Sequence, residues 1–183
     1  MQRYINPSLE QWKVLTQRGA ASYSSLEPLA KEVFDNVAQY GDQALKTYTD
    51  KFDKVKLEGF SVGTKEIELA KNRVPEKLKL AIQKAKENIY LFHKAQITEE
   101  VKVEIQTGVN CWQKKLPIEK VGLYIPGGSA PLFSTILMLG IPAQVAGCDR
   151  IVLCSPPDSK GQLSNVILYT ANLCGIDTIF KVG

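Results

Sequence analysis

Residues Val121 to Pro157, VGLYIPGGSAPLFSTILMLGIPAQVAGCDRIVLCSPP, leave the fold little freedom. An apolar run, Val121 to Ile125, stops at the breaker cluster Pro126-Gly127-Gly128-Ser129-Ala130-Pro131. A helix-length apolar segment follows from Leu132 to about Ala146. A second apolar run, Ile151 to Cys154, then ends at Ser155-Pro156-Pro157. Short apolar runs bounded by glycine and proline read as buried strands, so the stretch predicts strand, glycine turn, helix and strand. Parallel α/β sheets bind ligands beyond the carboxyl ends of their strands. The loop after Ile125 is therefore the first place to expect a site.

Charge distribution divides the chain. The 183 residues carry a net charge of +4, and residues 121–183 contribute none of it, because Arg150, Lys160 and Lys181 balance Asp149, Asp158 and Asp177. A fall in charge density of this kind predicts a boundary near Lys120. Solvated helices are expected before it, and after it a parallel sheet that needs cover on both faces. The excess of positive charge is dispersed, with Lys114-Lys115 its longest run, whereas nucleic-acid binders gather charge into a stripe. No apolar stretch reaches the ~18 residues of a membrane span, and the first twenty residues are too polar for a secretion signal. Neither nucleic acid nor membrane is an expected partner. Cys111, Cys148, Cys154 and Cys174 include no C-x-x-C pair, so reduced, packed thiols in a cytoplasmic protein are expected.

The first 22 residues read as an extended arm with a helical turn near Leu9 to Leu15. Ser24-x-x-Glu27 has the form of a capping box, with Pro28 in the first turn and Gly41 as the stop. Asp42 is placed to cap a helix carrying Leu45, Tyr48 and Phe52. Residues 53–63 look polar and irregular, and Thr64 is a cap for a short helix over Ile67 and Ala70. From Pro75 to about Ala95, the helical spacing of Leu78, Ile82, Ala85, Ile89 and Phe92 predicts one long helix with a single apolar seam. Val101, Val103 and Ile105 alternate with charged residues, predicting a half-buried strand that turns back at Thr107-Gly108 into a hairpin. Beyond Cys154, residues Gln162 to Cys174 read as a helix stopped by Gly175, and Thr178 to Val182 as a strand. The sum after Lys120 is β-α-β-α-β, half of a Rossmann arrangement, with one sheet face and one edge short of cover.

The chemistry legible in the residues is limited. Pro126-Gly127-Gly128-Ser129 directs backbone N–H groups toward a helix N-terminus, which suits an anion such as phosphate, or serves as a tight turn with no ligand. Tyr124 stands near the strand end, placed to stack on a ligand or to pack as an ordinary tyrosine. His93, the one histidine, sits on a charged helix and reads as a surface residue. Cys154 reads as a buried thiol before it reads as a nucleophile, and Asp149 and Asp158 read as loop carboxylates without a basic partner.

Residues 121–157 closely resemble the corresponding segment of the histidinol dehydrogenase family. GDQALKTYTDKFDKV, NIYLFHKAQ and GVNCWQKKLPIEKVGLYIPGG look like further pieces of the same family. The resemblance implies a homodimeric, zinc-containing, NAD-dependent enzyme of histidine biosynthesis that oxidises L-histidinol through the aldehyde to L-histidine. It implies that Tyr124 contacts NAD, that zinc is held by residues beyond position 183, and that a Glu-His pair beyond it supplies the base. It implies no catalytic residue or metal ligand within these 183 residues. The implied fold class is α/β, an N-terminal helical and hairpin part of a discontinuous domain followed by a truncated Rossmann-like β-α-β-α-β unit. The expected divisions are an arm over 1–22, the first segment of the discontinuous domain over 23–120, and the incomplete Rossmann-like domain over 121–183. The expected outcome is an N-terminal portion of the enzyme, inactive by itself. A standalone nucleotide- or anion-binding module, or an assembly fragment built on the same scaffold, is the alternative.

Overall fold

The computed structural model describes residues 3–17, 24, 26–128 and 130–183. Two compact units are present, residues 1–42 and 43–183. In the first, α1 (Leu9–Leu15) and α2 (Glu27–Tyr40) bury no side chain. The entry to α1 is fixed locally, since Ser8 N–H donates to Gln11 Oε1 at 3.0 Å and the Trp12 indole donates to the Pro7 carbonyl at 3.0 Å. The capping box expected at Ser24 does not start α2. Leu26 is the N-cap and makes no side-chain cap bond, while Pro28 at the second helical position restricts the entry instead. Gly41, at φ 54°, ends α2 as expected.

In the second unit, α3 (Asp42–Tyr48) runs on into a π-helical turn over Thr49–Asp53, which Lys54 closes in the left-handed region at φ 58°, ψ 33°. Helix α4 (Thr64–Arg73) starts one residue earlier than the cap read at Thr64 implied. Gly63 is the N-cap, and Glu66 Oε1 accepts its N–H at 3.3 Å. Helix α5 (Glu76–Lys94) follows the predicted seam for most of its length, with Ile82 1% exposed, yet Phe92 at its end is 67% exposed. The hairpin of β1 (Val101–Gln106) and β2 (Val109–Gln113) forms with the expected turn, Gly108 taking φ 81°. Its burial differs from expectation. Every residue of both strands is exposed, because alternation makes a strand amphipathic without supplying a surface to cover it.

The β-α-β-α-β reading holds. Strands β3 (Lys120–Tyr124), β4 (Arg150–Ser155) and β5 (Thr178–Lys181) form a parallel sheet in the order β3-β4-β5. The crossovers are α6 (Phe133–Ala146) and α7 (Asn165–Leu173). Leu123, Ile125, Leu153 and Ile179 face α6 and α7 and form one apolar cluster with Ile136, Ile141 and Ile167. Behind these helices, α4 packs on α7 and α5 on α6. Helix α6 thus meets β3, α5 and α7, which explains why its sequence is apolar on nearly every side. The layers are tied by Lys86 Nζ, which donates to the Leu173 carbonyl at 2.7 Å, and by a Lys181–Glu66 ion pair at 2.8 Å.

Residues 53–63, read as irregular, contain a sheet component. Val62 N–H donates to the Ile179 carbonyl at 2.9 Å, and Lys181 N–H donates to the Phe60 carbonyl at 2.7 Å. This short antiparallel strap covers the outer edge of β5 and buries Phe60 and Val62. The opposite face of the sheet carries Tyr124, Cys154 and Phe180 in one row across the three strands, and Tyr124 there is 52% exposed.

Candidate functional site

Beyond the carboxyl ends of β3 and β4 lies a cavity of about 420 Å³. That volume is within the range of small-molecule sites. One wall is the loop predicted from sequence, formed by Pro126, Gly127, Gly128, Ala130, Pro131 and Leu132. Ser129 lies outside the described residues. The second wall is Ser155 at the end of β4 and residues 156–158 after it, and Gln162, Ser164 and, within α7, Ile167 close the remaining side. Asp53, from the π-helical turn, completes the lining.

The two loops meet closely. A methyl group at Gly127 would lie 2.8 Å from Pro156 Cγ, so only glycine lets the β3 loop pass the Pro156 ring without displacement. A methyl group at Gly183 would stand 3.1 Å from Pro156 Cβ and 3.1 Å from both carboxylate oxygens of Asp53. Gly127, Pro156, Gly183 and Asp53 therefore form a continuous rim across the ends of the three strands.

Two features decide what the cavity can take. The loop delivers the chain into α6, where Thr135 N–H donates to the Leu132 carbonyl at 3.0 Å, the N–H groups of Phe133 and Ser134 have no partner within the helix, and the first turn holds no carboxylate. That end favours an anion. The two carboxylates differ in availability. Asp158 Oδ1 accepts the N–H groups of Lys160 at 2.8 Å and Gln162 at 2.9 Å, so it shapes its own turn. Among the described residues no donor reaches Asp53, and burial raises its pKa above the ordinary carboxylate value.

The remaining residues singled out in the sequence do not converge. Tyr124 stands at the same carboxyl edge, two residues before Pro126, but it points to the opposite face and does not line the cavity. Cys154 shares that face, and burial raises its pKa, which disfavours the thiolate a nucleophile requires. Asp149 lies at the amino-terminal end of β4, away from the cavity, where its backbone N–H donates to the Glu119 carbonyl just before β3 at 2.9 Å. His93 packs edge-on against Phe92 with ring centroids 5.5 Å apart, beside a separate groove near Lys114 and Lys115. Among the described residues no three histidine, cysteine or carboxylate side chains gather into a metal-sized cluster, so the donors present do not fit zinc. Asp53 was not singled out from sequence. A single aspartate in a polar stretch carries no signal until the π-helical turn brings it beside the strand ends.

Parallel strands, alternating crossover helices and a cavity at the strands' carboxyl ends define an α/β protein with a Rossmann-like sheet. A family model described as histidinol dehydrogenase matches residues 16–183. The histidinol dehydrogenase of Mannheimia succiniciproducens is 50% identical over 174 residues, spanning 95% of this chain and 40% of that protein. That of Bacteroides thetaiotaomicron is 49% identical over 177 residues, spanning 97% of this chain and 41% of its own length. The crystal structure of histidinol dehydrogenase from Elizabethkingia anophelis superposes on all of this chain and 42% of that one, with a TM-score of 0.94 at 50% identity. The chain belongs to the histidinol dehydrogenase family. It spans about two-fifths of the length of the relatives it matches and corresponds to their N-terminal portion.

Proposed function

We propose that this chain supplies the NAD-binding wall of an L-histidinol dehydrogenase acting in histidine biosynthesis, in a cytoplasmic homodimer. The observation that carries the reading is the cavity at the carboxyl ends of β3 and β4, bounded by the glycine turn and the start of α6, in a chain of this family. NAD supplies hydride acceptance when bound. The chain's own residues bind and orient it. Backbone N–H groups at the start of α6 receive the pyrophosphate, the Gly127–Pro156 contact holds the two loops apart at fixed spacing, and Tyr124 outside the rim packs on the part of the dinucleotide that leaves the cavity.

Zinc and the catalytic base belong, in this reading, to sequence outside these 183 residues. One histidine and no converging ligand set support that division. The same reading takes 1–22 as an arm, 23–120 as the opening segment of a discontinuous domain and 121–183 as the start of the Rossmann-like domain, with residues 43–183 packed as one compact unit across position 120. The isolated 183-residue chain is expected to bind NAD and to form no NADH from histidinol. Titration of the chain with NAD and an absorbance assay with histidinol test both halves. Absence of saturable NAD binding up to millimolar concentration refutes the site. Histidinol-dependent NADH formation refutes the division of labour.

A further inference from the structure

Asp53 is the cavity's one carboxylate with no partner among the described residues, and the cations nearest it in sequence are engaged elsewhere. Lys51 lies over the Phe52 ring at 5.3 Å, Lys54 Nζ donates to the Lys51 carbonyl at 2.7 Å, and Lys56 pairs with Asp50 at 3.9 Å. The local backbone serves this arrangement. A π-helical turn is uncommon and is frequent at functional sites, and the left-handed Lys54 that ends it is a conformation a non-glycine residue adopts only at a cost. Together they set Asp53 against Pro156 and Gly183, on the rim of the cavity.

We propose that Asp53 is the specificity-determining residue for the dinucleotide, its carboxylate accepting hydrogen bonds from the 2′- and 3′-hydroxyls of the adenosine ribose. The proposal rests on the reading of this cavity as the NAD site and deepens it. An ionised carboxylate is an acceptor only, so it binds hydroxyl donors and repels phosphate. Anionic groups then lie at the start of α6, and the ribose diol lies at Asp53. Among the described residues the other polar groups of the lining are Ser155, Gln162, Ser164 and Asp158, the last occupied by its own turn, and the rest is proline, glycine and alkyl; no histidine, lysine or cysteine lines the cavity, which suits the anchoring adenosine half. The nicotinamide half leaves over the rim toward Tyr124. A 2′-phosphate in place of the hydroxyl would meet the carboxylate directly, so NADP is disfavoured. The same logic operates where an acidic residue at a strand end reads the ribose in dinucleotide-binding folds, although this one comes from a π-helical turn before the sheet.

The test is calorimetric titration of the 183-residue chain and its Asp53→Asn and Asp53→Ser variants with NAD and with NADP. The wild-type chain should prefer NAD by about tenfold or more. Both variants should lose about tenfold in NAD affinity while NADP binding holds or improves, so that the preference falls toward unity. Equal weakening of both dinucleotides, with a lowered unfolding midpoint, would mean that Asp53 only supports the turn, and would overturn the proposal. An unchanged preference in folded variants would overturn it too. In either case wild-type NAD binding leaves the site itself standing. Failure of the wild-type chain to bind NAD removes both the site and the inference.

Discussion

Gly127 and Cys174 show how single positions limit what this unit tolerates. With Pro156 Cγ 2.8 Å from where its side chain would begin, Gly127→Ala forces one loop to move, and the ring cannot rotate away. The expected cost is about 1–3 kcal/mol in urea unfolding, together with weakened NAD binding. Gly122→Ala is the control, since no atom lies within 4 Å of its added methyl, and it should be close to neutral. Cys174 packs beneath Gly140, and burial pushes its thiol up to about 11 from 9.0, with Lys86 pulling weakly the other way. A raised pKa means that the unfolded chain loses this proton first. The stability conferred by the neutral buried thiol is therefore complete below pH 9 and is lost as pH rises toward 11. Unfolding midpoints measured from pH 8 to 11 should fall, and Cys174→Ala should flatten that fall while lowering stability throughout.

Among the elements, the hairpin stands apart from the sheet. Two strands exposed on both faces are marginal by themselves, so the amides of β1 and β2 should exchange with solvent far faster than those of β4. Exchange at Val103 as slow as at Leu153 would refute this. Helix α5 makes a complementary prediction along its seam. Ile82→Ala should cost about 2–5 kcal/mol, whereas Phe92→Ala should change stability by about 0.5 kcal/mol or less, both read from denaturant midpoints. Periodicity in the sequence marked Phe92 and Ile82 alike, and marked the hairpin as half-buried, because a pattern reports which face is apolar and not whether a neighbour reaches it. The β3-α6-β4-α7-β5 order was legible because glycine and proline punctuate apolar runs locally. The sequence left open whether Tyr124 meets a ligand or packs as an ordinary tyrosine; its place on the face opposite Leu123 and Ile125, away from the cavity, came from the structure. Asp53 and the strap at residues 60–62 were not legible, because both acquire meaning only from partners more than a hundred residues away.

At the scale of the second unit, the strap makes the sheet and the helices before it one cooperative object. Phe60 and Val62 are held by strand β5, Glu66 by Lys181, and α4 and α5 by helices that come later in the chain. That dependence has a consequence for biosynthesis. Residues 60–66 leave the ribosome more than a hundred residues ahead of the strand that receives them, an interval on the order of ten seconds at typical rates of synthesis. Through that interval the apolar faces of α4 and α5 have no partner to pack on. Nascent chains arrested before Thr178 should be cut by protease between residues 54 and 75, and chains arrested after Lys181 has emerged should resist. The order of translation thus sets a window in which this unit depends on chaperones, and the width of that window is fixed by the placement of a three-residue strap.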